Sequence, residues 1–384
     1  MLRWLTAGES HGPQLTVVIE GLPAGLQLSA ADLRPDLRRR QGGHGRGGRQ
    51  QIEVDEARIV GGVRGGRTLG SPVALVLENR DHANWTAEMT PEPEGFAPRP
   101  VTRLRPGHAD LAGALKYGHS DVRNVLERSS ARETAARVAA GAAARKLLGC
   151  FGVRVFSFTQ SIGQVDIGYG TVDPEALSPE DIERSPVRCP DPDASARMVA
   201  EIDAAGERGD TLGGTLRVLA TGLPPGLGSY VHWDRKLDAR LAMAIVSINA
   251  VKGVEFGAGF EGAARPGSDF HDEIDYAEGR FRHLTNRAGG LTGGVSNGEP
   301  IDLRAALKPI STLKKPLRSV DLASRERVDA HYERSDVCVV PAAGVIAEAM
   351  VALTLADAFL EKFGGDSMDE IERNRRGYLE SVAR

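Results

Sequence analysis

Ser130-Ala131-Arg132-Glu133-Thr134-Ala135-Ala136-Arg137-Val138-Ala139-Ala140-Gly141-Ala142-Ala143-Ala144-Arg145-Lys146-Leu147-Leu148-Gly149 is the stretch on which the fold turns. Ser130 with Glu133 three residues on fits a capping box, and Gly149 fits a stop, so a helix is expected from Ser130 to about Leu148. A second helix starts at Pro341, a residue favoured in a first helical turn, and ends by Gly364-Gly365. Both are rich in alanine, as suits helices packed closely within layers. Around them lie β-rich runs. Gln14 to Glu20 puts Leu15, Val17 and Ile19 on one face, and Pro72–Glu78, Val153–Thr159 and Thr215–Thr221 read the same way. The chain is therefore mixed α and β.

A weak internal echo runs through the two halves. Gly21-Leu22-Pro23-Ala24-Gly25-Leu26 and Gly222-Leu223-Pro224-Pro225-Gly226-Leu227 each follow a strand and precede a helical segment, Leu33–Arg40 and Arg235–Ile248. Chance recurrence and a duplicated β-α unit explain it equally well. The polar stretches Trp85–Pro100 and Asp173–Asp193 read as surface loops, and neither reads as an interdomain linker. The chain is accordingly taken as one domain over residues 1–384.

Composition narrows the function. The 384 residues are 41% hydrophobic, enough for a sizeable core. A formal charge of −4 argues against general nucleic-acid binding, which a strongly basic surface usually carries. Three cysteines, Cys150, Cys189 and Cys338, lie far apart without CxxC spacing, so a reducing, cytoplasmic setting is expected and no zinc site. Met1 to Gly12 is too short and polar for a signal peptide, and Glu348 and Asp357 interrupt the longest apolar run, so no membrane span is expected.

Several short motifs instead ask for a multiply charged anion. Five arginines and no acid fall between Arg38 and Arg49, where the glycines of 42–48 give Arg46 a flexible loop. Arginine binds carboxylate and phosphate through a planar fork. Arg128 and Arg132 flank Ser129 and Ser130 at a helix start, where free N–H groups also attract anions. His11, between Ser10 and Gly12, and His108, after Arg105-Pro106-Gly107 and before Asp110, are the histidines with a setting for proton transfer. Asp110 could orient the imidazole of His108. The glycine-rich run 286–298 suits a backbone wall against a flat ligand, and Lys308-Pro309-Ile310-Ser311-Thr312 offers a cation and hydroxyls for phosphate. No pair of histidines has metal-ligand spacing.

Taken together and in order, these motifs resemble the chorismate synthase family over nearly the whole chain. Gly8-Glu9-Ser10-His11-Gly12, Arg105-Pro106-Gly107-His108-Ala109-Asp110, Arg128-Ser129-Ser130-Ala131-Arg132-Glu133-Thr134, Ser247-Ile248-Asn249-Ala250-Val251-Lys252-Gly253, the 286–298 stretch and Arg334-Ser335-Asp336 all match. The resemblance implies an α+β fold, a helical layer sandwiched between antiparallel β-sheets, in a homotetramer. It implies 1,4-elimination of phosphate from 5-enolpyruvylshikimate 3-phosphate to give chorismate, requiring reduced FMN without net redox change. His108 would then protonate the departing phosphate, His11 would protonate the reduced flavin or hold its charge state, and Asp336 would help the flavin take the substrate proton. Flavin contacts would fall on Arg128, Ser129, Ser130, Asn249, Ala250, Gly293, Lys308, Pro309, Ile310, Ser311, Thr312 and Arg334. Arg40 and Arg46 match positions the family assigns to NADP, yet with Arg105 and Arg132 they suit the anionic substrate equally. Whether NADPH or an external flavin reductase supplies the reduced flavin stays open.

Two other readings compete. A flavin or nicotinamide oxidoreductase lacks support, because no Gly-x-Gly-x-x-Gly closes a strand and opens a helix. An RNA or polyphosphate binder would use the Arg38–Arg49 loop, but the acidic balance and the lack of interleaved aromatics weigh against it.

Overall fold

The computed structural model describes residues 1–48, 52–171, 176–277, 279–333 and 335–382. Arg49 and Arg334 lie outside the described residues, as does part of the 173–193 stretch. Two antiparallel sheets enclose a helical layer. The first sheet runs Arg3–Ala7, Gln14–Glu20, Val73–Glu78, Ala57–Gly61 across its width. Leu15, Val17 and Ile19 are fully buried on its inner face, as the period-two pattern requires. The second sheet runs Val251–Phe256, Ile301–Leu307, Gly214–Thr221, Arg154–Ile162, Val165–Asp166.

Between the sheets lie the helices Ala30–Gln41, Thr134–Gly149, Leu237–Val246 and Val340–Phe363. Small side chains let the two central ones touch closely. A Cβ on Gly141 would sit only 2.3 Å from the Cβ of Ala349, so glycine is required at that crossing. The Val340–Phe363 helix is long and apolar enough to cross a membrane, but 89% of its most apolar window is buried inside the protein. One buried cluster extends from Leu2 to Ile371 and takes in both sheets and all four helices.

Two expectations need correction. Ser130 does cap, but its hydroxyl accepts from the Arg132 N–H and heads a 3-10 turn, Ala131–Glu133, before the α-helix begins at Thr134. Glu133 does not complete a capping box. Its carboxylate bonds Thr6 and Arg137, tertiary partners that outcompete the local one. The described part of the 173–193 stretch is also no plain surface loop. The second sheet is apolar on its outer face too, where Phe156, Phe158 and Leu219 pack with Ile182 of a short helix, Pro179–Arg184. That face needs a cover, and the polar stretch supplies it.

The Gly-Leu-Pro echo corresponds to matched positions. Each turn leaves an interior strand of one sheet and leads to a helix of the middle layer. Both turns also dock the C-terminal segment: Ala24 exchanges backbone hydrogen bonds with Asp366 and Met368, and Tyr378 of the Met368–Val382 helix donates to the Pro225 carbonyl at 3.0 Å.

Candidate active site

Where the starts of the Thr134–Gly149 and Val340–Phe363 helices meet the loops at the sheet ends, a cavity of about 700 Å³ opens. Its walls bring together His11, Arg40, Arg46, Arg105, His108, Ser129, Ser130, Arg132, Asn249, Ala250, Lys308 to Thr312 and Asp336. Residues as far apart in sequence as His11 and Asp336 thus converge on one hollow. Arg128 and Gly293 do not line it. Arg128 is half-exposed and donates to the carbonyls of Thr6 and Gly8, and Gly293 sits in the Leu291–Ser296 hairpin beside Tyr230.

His108 is held by its neighbours. Gly107 adopts a left-handed φ of +78°, turning the chain so that His108 and Asp110 face each other. The His108 Nδ1 lies 2.5 Å from Asp110 Oδ1. Asp110, fully buried, also accepts from Arg105 Nε at 2.9 Å, Nη2 at 3.0 Å and the backbone N–H at 3.0 Å. Burial works to raise its pKa, but the bonds from His108 and Arg105 outweigh it and hold Asp110 well below the usual carboxylate range. An ionised Asp110 places the proton on Nδ1 and leaves Nε2 for the cavity.

The floor is an acid-and-base lattice. Asp55, 1% exposed, bridges Arg40 at 2.9 Å and Arg132 by a short contact. Arg40 also donates through Nε to Thr134 Oγ1 and through Nη2 to the Ala131 carbonyl. Burial lowers its pKa to about 10 against the pull of Asp55, so it remains a cation at neutral pH. Arg132 donates from Nε to Asn79 at 2.8 Å and from Nη2 to the Glu78 carbonyl at 3.3 Å. A guanidinium carries five N–H donors, so each of these arginines keeps some for a ligand.

Asp336 holds the glycine loop. Its Oδ2 accepts from Arg46 at 2.7 Å, and its Oδ1 from the Gly47 N–H at 2.5 Å. Arg46 Nε is buried with no acceptor among the described residues. Opposite, Lys308 Nζ donates to the Gly107 carbonyl, and burial together with Lys252 lowers its pKa. Ala250 takes a φ of +70°, a conformation that costs a non-glycine residue about 1–3 kcal/mol. The apolar side is built by Val339, Ala342, Ala343 and Ile346.

Sequence reasoning missed Asp55, Asp81, Trp85 and Glu127. Trp85, assigned above to a surface loop, lines the cavity with its ring centroid 4.3 Å from that of His11. No local pattern marks their place in the site, because the cavity arginines and His11 that they touch come from distant parts of the chain.

A family model described as chorismate synthase matches residues 2–360. Among curated proteins, the chain is 58% identical over 395 residues to chorismate synthase of Symbiobacterium thermophilum, with both chains fully covered. It is 59% identical to that of Desulforudis audaxviator, covering 100% of this chain and 98% of the relative. For Geobacter sulfurreducens the identity is 56%, with 100% and 99% covered. A crystal structure of chorismate synthase superposes with a TM-score of 0.81 at 42% identity, covering 100% of this chain and 98% of the other.

Proposed function

The chain belongs to the chorismate synthase family, and from that premise we propose that the cavity between His11 and His108 is where its reaction takes place. The enzyme is a lyase that removes phosphate from 5-enolpyruvylshikimate 3-phosphate by 1,4-elimination, giving chorismate, the last common step toward the aromatic amino acids. The observation that carries the site assignment is the His108–Asp110–Arg105 cluster opening on a hollow lined by Arg40, Arg46, Arg132 and Lys308. Two carboxylates and a phosphate need that many cationic donors. As an imidazolium, His108 would keep its Nδ1 proton on Asp110 and give its Nε2 proton to the leaving phosphate.

The residues also fit a reduced flavin. At about 700 Å³ the cavity lies within the roughly 300–1,000 Å³ usual for small-molecule sites. The wall of Val339, Ala342, Ala343 and Ile346 suits a flat ring, Asn249 and Ala250 offer an edge, and Lys308, Ser311 and Thr312 suit a phosphate. Arg46, whose Nε has no acceptor among the described residues, is left for the anionic substrate beside it. Reduced FMN is the group we place there, supplying an electron that is returned within each turnover. His11 holds or delivers a proton on its side of the cavity. Asp336, which accepts from Arg46 and the Gly47 N–H, is the carboxylate that would help in removal of the substrate proton.

Arg40 is better suited to the substrate than to NADP. It is 3% exposed and donates inward from Nε, Nη1 and Nη2, so only a small anion inside the cavity reaches its remaining N–H groups. NADPH or an external flavin reductase then acts as the reductant upstream. Exposed Leu5, Met243, Phe260 and Phe281 support burial against further copies in a homotetramer, and the three free thiols support a cytoplasmic setting. The test is incubation of the purified protein with 5-enolpyruvylshikimate 3-phosphate and reduced FMN. Chorismate and phosphate should appear in equal amounts, and their absence overturns the reading.

A further inference from the structure

The structure assigns Glu127, Arg123 and Trp85 as positioning residues for His11: the four side chains close a ring of contacts that orients the imidazole and sets which nitrogen carries its proton. This rests on the reading of His11 as a proton-handling residue of the cavity.

The ring begins with local sequence. Arg123 and Glu127 are four apart in the Arg123–Ser129 helix and so share one face, with Arg123 Nη1 3.2 Å from Glu127 Oε1. Glu127 then grips His11 twice. Its carboxylate accepts the His11 backbone N–H at 2.8 Å and the ring Nδ1 at 2.9 and 3.1 Å. The Glu127 carbonyl also accepts the Ser10 N–H at 3.0 Å. Backbone and ring are thus fixed by one residue.

Trp85 closes the circuit. Its ring is tilted 41° to His11, and the Arg123 guanidinium lies 4.8 Å from its centroid on a cation–π contact. His11 and Trp85 line the cavity, whereas Glu127 and Arg123 do not, so Glu127 reaches the chemistry through His11, and the charge of Arg123 acts on Glu127 and also on the cavity carboxylate of Glu333.

The charge pattern gives the ring its consequence. Glu127 is 4% exposed; burial works to raise its pKa, but the bonds from His11 and the charge of Arg123 bring it below the ordinary value. As an ionised acceptor, it requires the proton on Nδ1 and leaves Nε2 toward the cavity. The other charged or titratable groups facing His11 come from the Arg80–Asn84 turn. Asp81 Oδ2 lies 3.9 Å from Nε2, and His82 Nδ1 bonds the His11 carbonyl at 2.9 Å. Glu127 is therefore the nearest negative charge to the ring, and Arg123 the cation that tempers it.

The experiment uses Trp85 as reporter, because an imidazolium in contact with an indole quenches its emission more than imidazole does. The chain has three tryptophans, Trp4, Trp85 and Trp233, so Trp4→Phe and Trp233→Phe leave one signal. The emission of the full-length protein is then titrated with pH. One transition is expected, and His11→Ala should abolish it. Glu127→Gln, which keeps the shape and loses the charge, should move the midpoint down by about one pH unit or more, the usual effect of removing a bonded opposite charge. Glu127→Asp should restore part of that shift. Arg123→Met should move the midpoint up. Shifts of opposite sign cannot come from general loosening of the fold. An unchanged midpoint in Glu127→Gln, or a downward one in Arg123→Met, overturns the proposal, and the second arm still decides should the first variant not fold. Turnover separates the underlying reading. If His11→Ala retains wild-type rates while the emission shifts behave as stated, His11 leaves the mechanism and the positioning ring stands.

Discussion

His108 and Arg132 show how far the same residue type or motif can differ once its partners are known. His108 has one ring nitrogen committed to buried Asp110 and one facing the cavity, the arrangement of a positioned acid. Replacing His108 with Ala should slow turnover by about 10²–10⁴-fold, the usual worth of such a group, with the fold intact. A folded variant within a few-fold of the wild-type rate would remove it from the mechanism. Arg132 and Arg46 looked equivalent as anion grips, but the structure separates them. Arg132 bonds Asn79, Asp55 and the Glu78 carbonyl. Among the described residues, Arg46 bonds a single carboxylate and its buried Nε has no acceptor. Arg132→Gln should therefore destabilise the protein by about 1–3 kcal/mol, because buried Asn79 and the Glu78 carbonyl lose their donor while Asp55 keeps Arg40. Arg46→Gln should mainly weaken substrate binding, by about tenfold, equivalent to 1.4 kcal/mol. Denaturation and substrate titration of both variants check the pair, and equal losses of stability would sink the distinction.

Among the elements, the Val340–Phe363 helix carries the most unusual feature, a carboxylate inside an apolar helix. Glu348 is fully buried and bonds Arg39 at 2.8 Å through both oxygens, Arg145 at 3.0 Å, Arg188 at 2.8 Å and Ser157 at 2.7 Å. These partners come from two other helices, a strand of the second sheet and the 185–189 segment, so one residue knots the layers together. Burial pushes its pKa up, but the three arginines overcome this and bring it from 4.5 to about 2. A folded-state value below the unfolded one contributes stability that is present above the unfolded pKa and lost as pH falls. The window here runs from near 4.5 down toward 2. The shift is worth on the order of 3 kcal/mol. Urea denaturation between pH 3 and 6, a range set by that window, should show the wild type weakening on acidification and Glu348→Gln responding less. Parallel pH slopes would count against this role. The element itself was legible in sequence, because Pro341 and Gly364 mark its ends, and alternation marked Gln14–Glu20. Glu348 read only as an interruption of an apolar run, since its arginines lie hundreds of residues away or across a layer. The same reason hid Asp55, whose two arginines meet only in the fold, while His11, His108 and the arginines were legible through the motifs around them.

At the scale of the whole molecule, the sandwich makes one enclosed site out of motifs spread from Ser10 to Ile346, and its design bears on what the flavin does. An enzyme that consumed a hydride each cycle and renewed it within its own chain would need to admit a dinucleotide beside the flavin. In this chain no Gly-x-Gly-x-x-Gly closes a strand and opens a helix, and the innermost arginine, Arg40, is bound to Asp55, Thr134 and Ala131. The cavity groups that handle charge are fixed cations and histidines held by carboxylates, suited to stabilising a departing phosphate electrostatically. Reduced FMN should accordingly act as a catalyst and be regenerated. Under strict anaerobiosis, one portion of reduced FMN should support many turnovers without stoichiometric NADPH. Chorismate should accumulate well beyond the flavin present, with the flavin absorbance still that of the reduced form at the end. Arg46→Gln tested under the same conditions should lower the rate without changing that stoichiometry, because it grips the substrate and does not govern electron return. If product stops at one equivalent per flavin, or oxidised flavin rises in step with product, the reaction carries net redox change and the recycled role of the flavin fails.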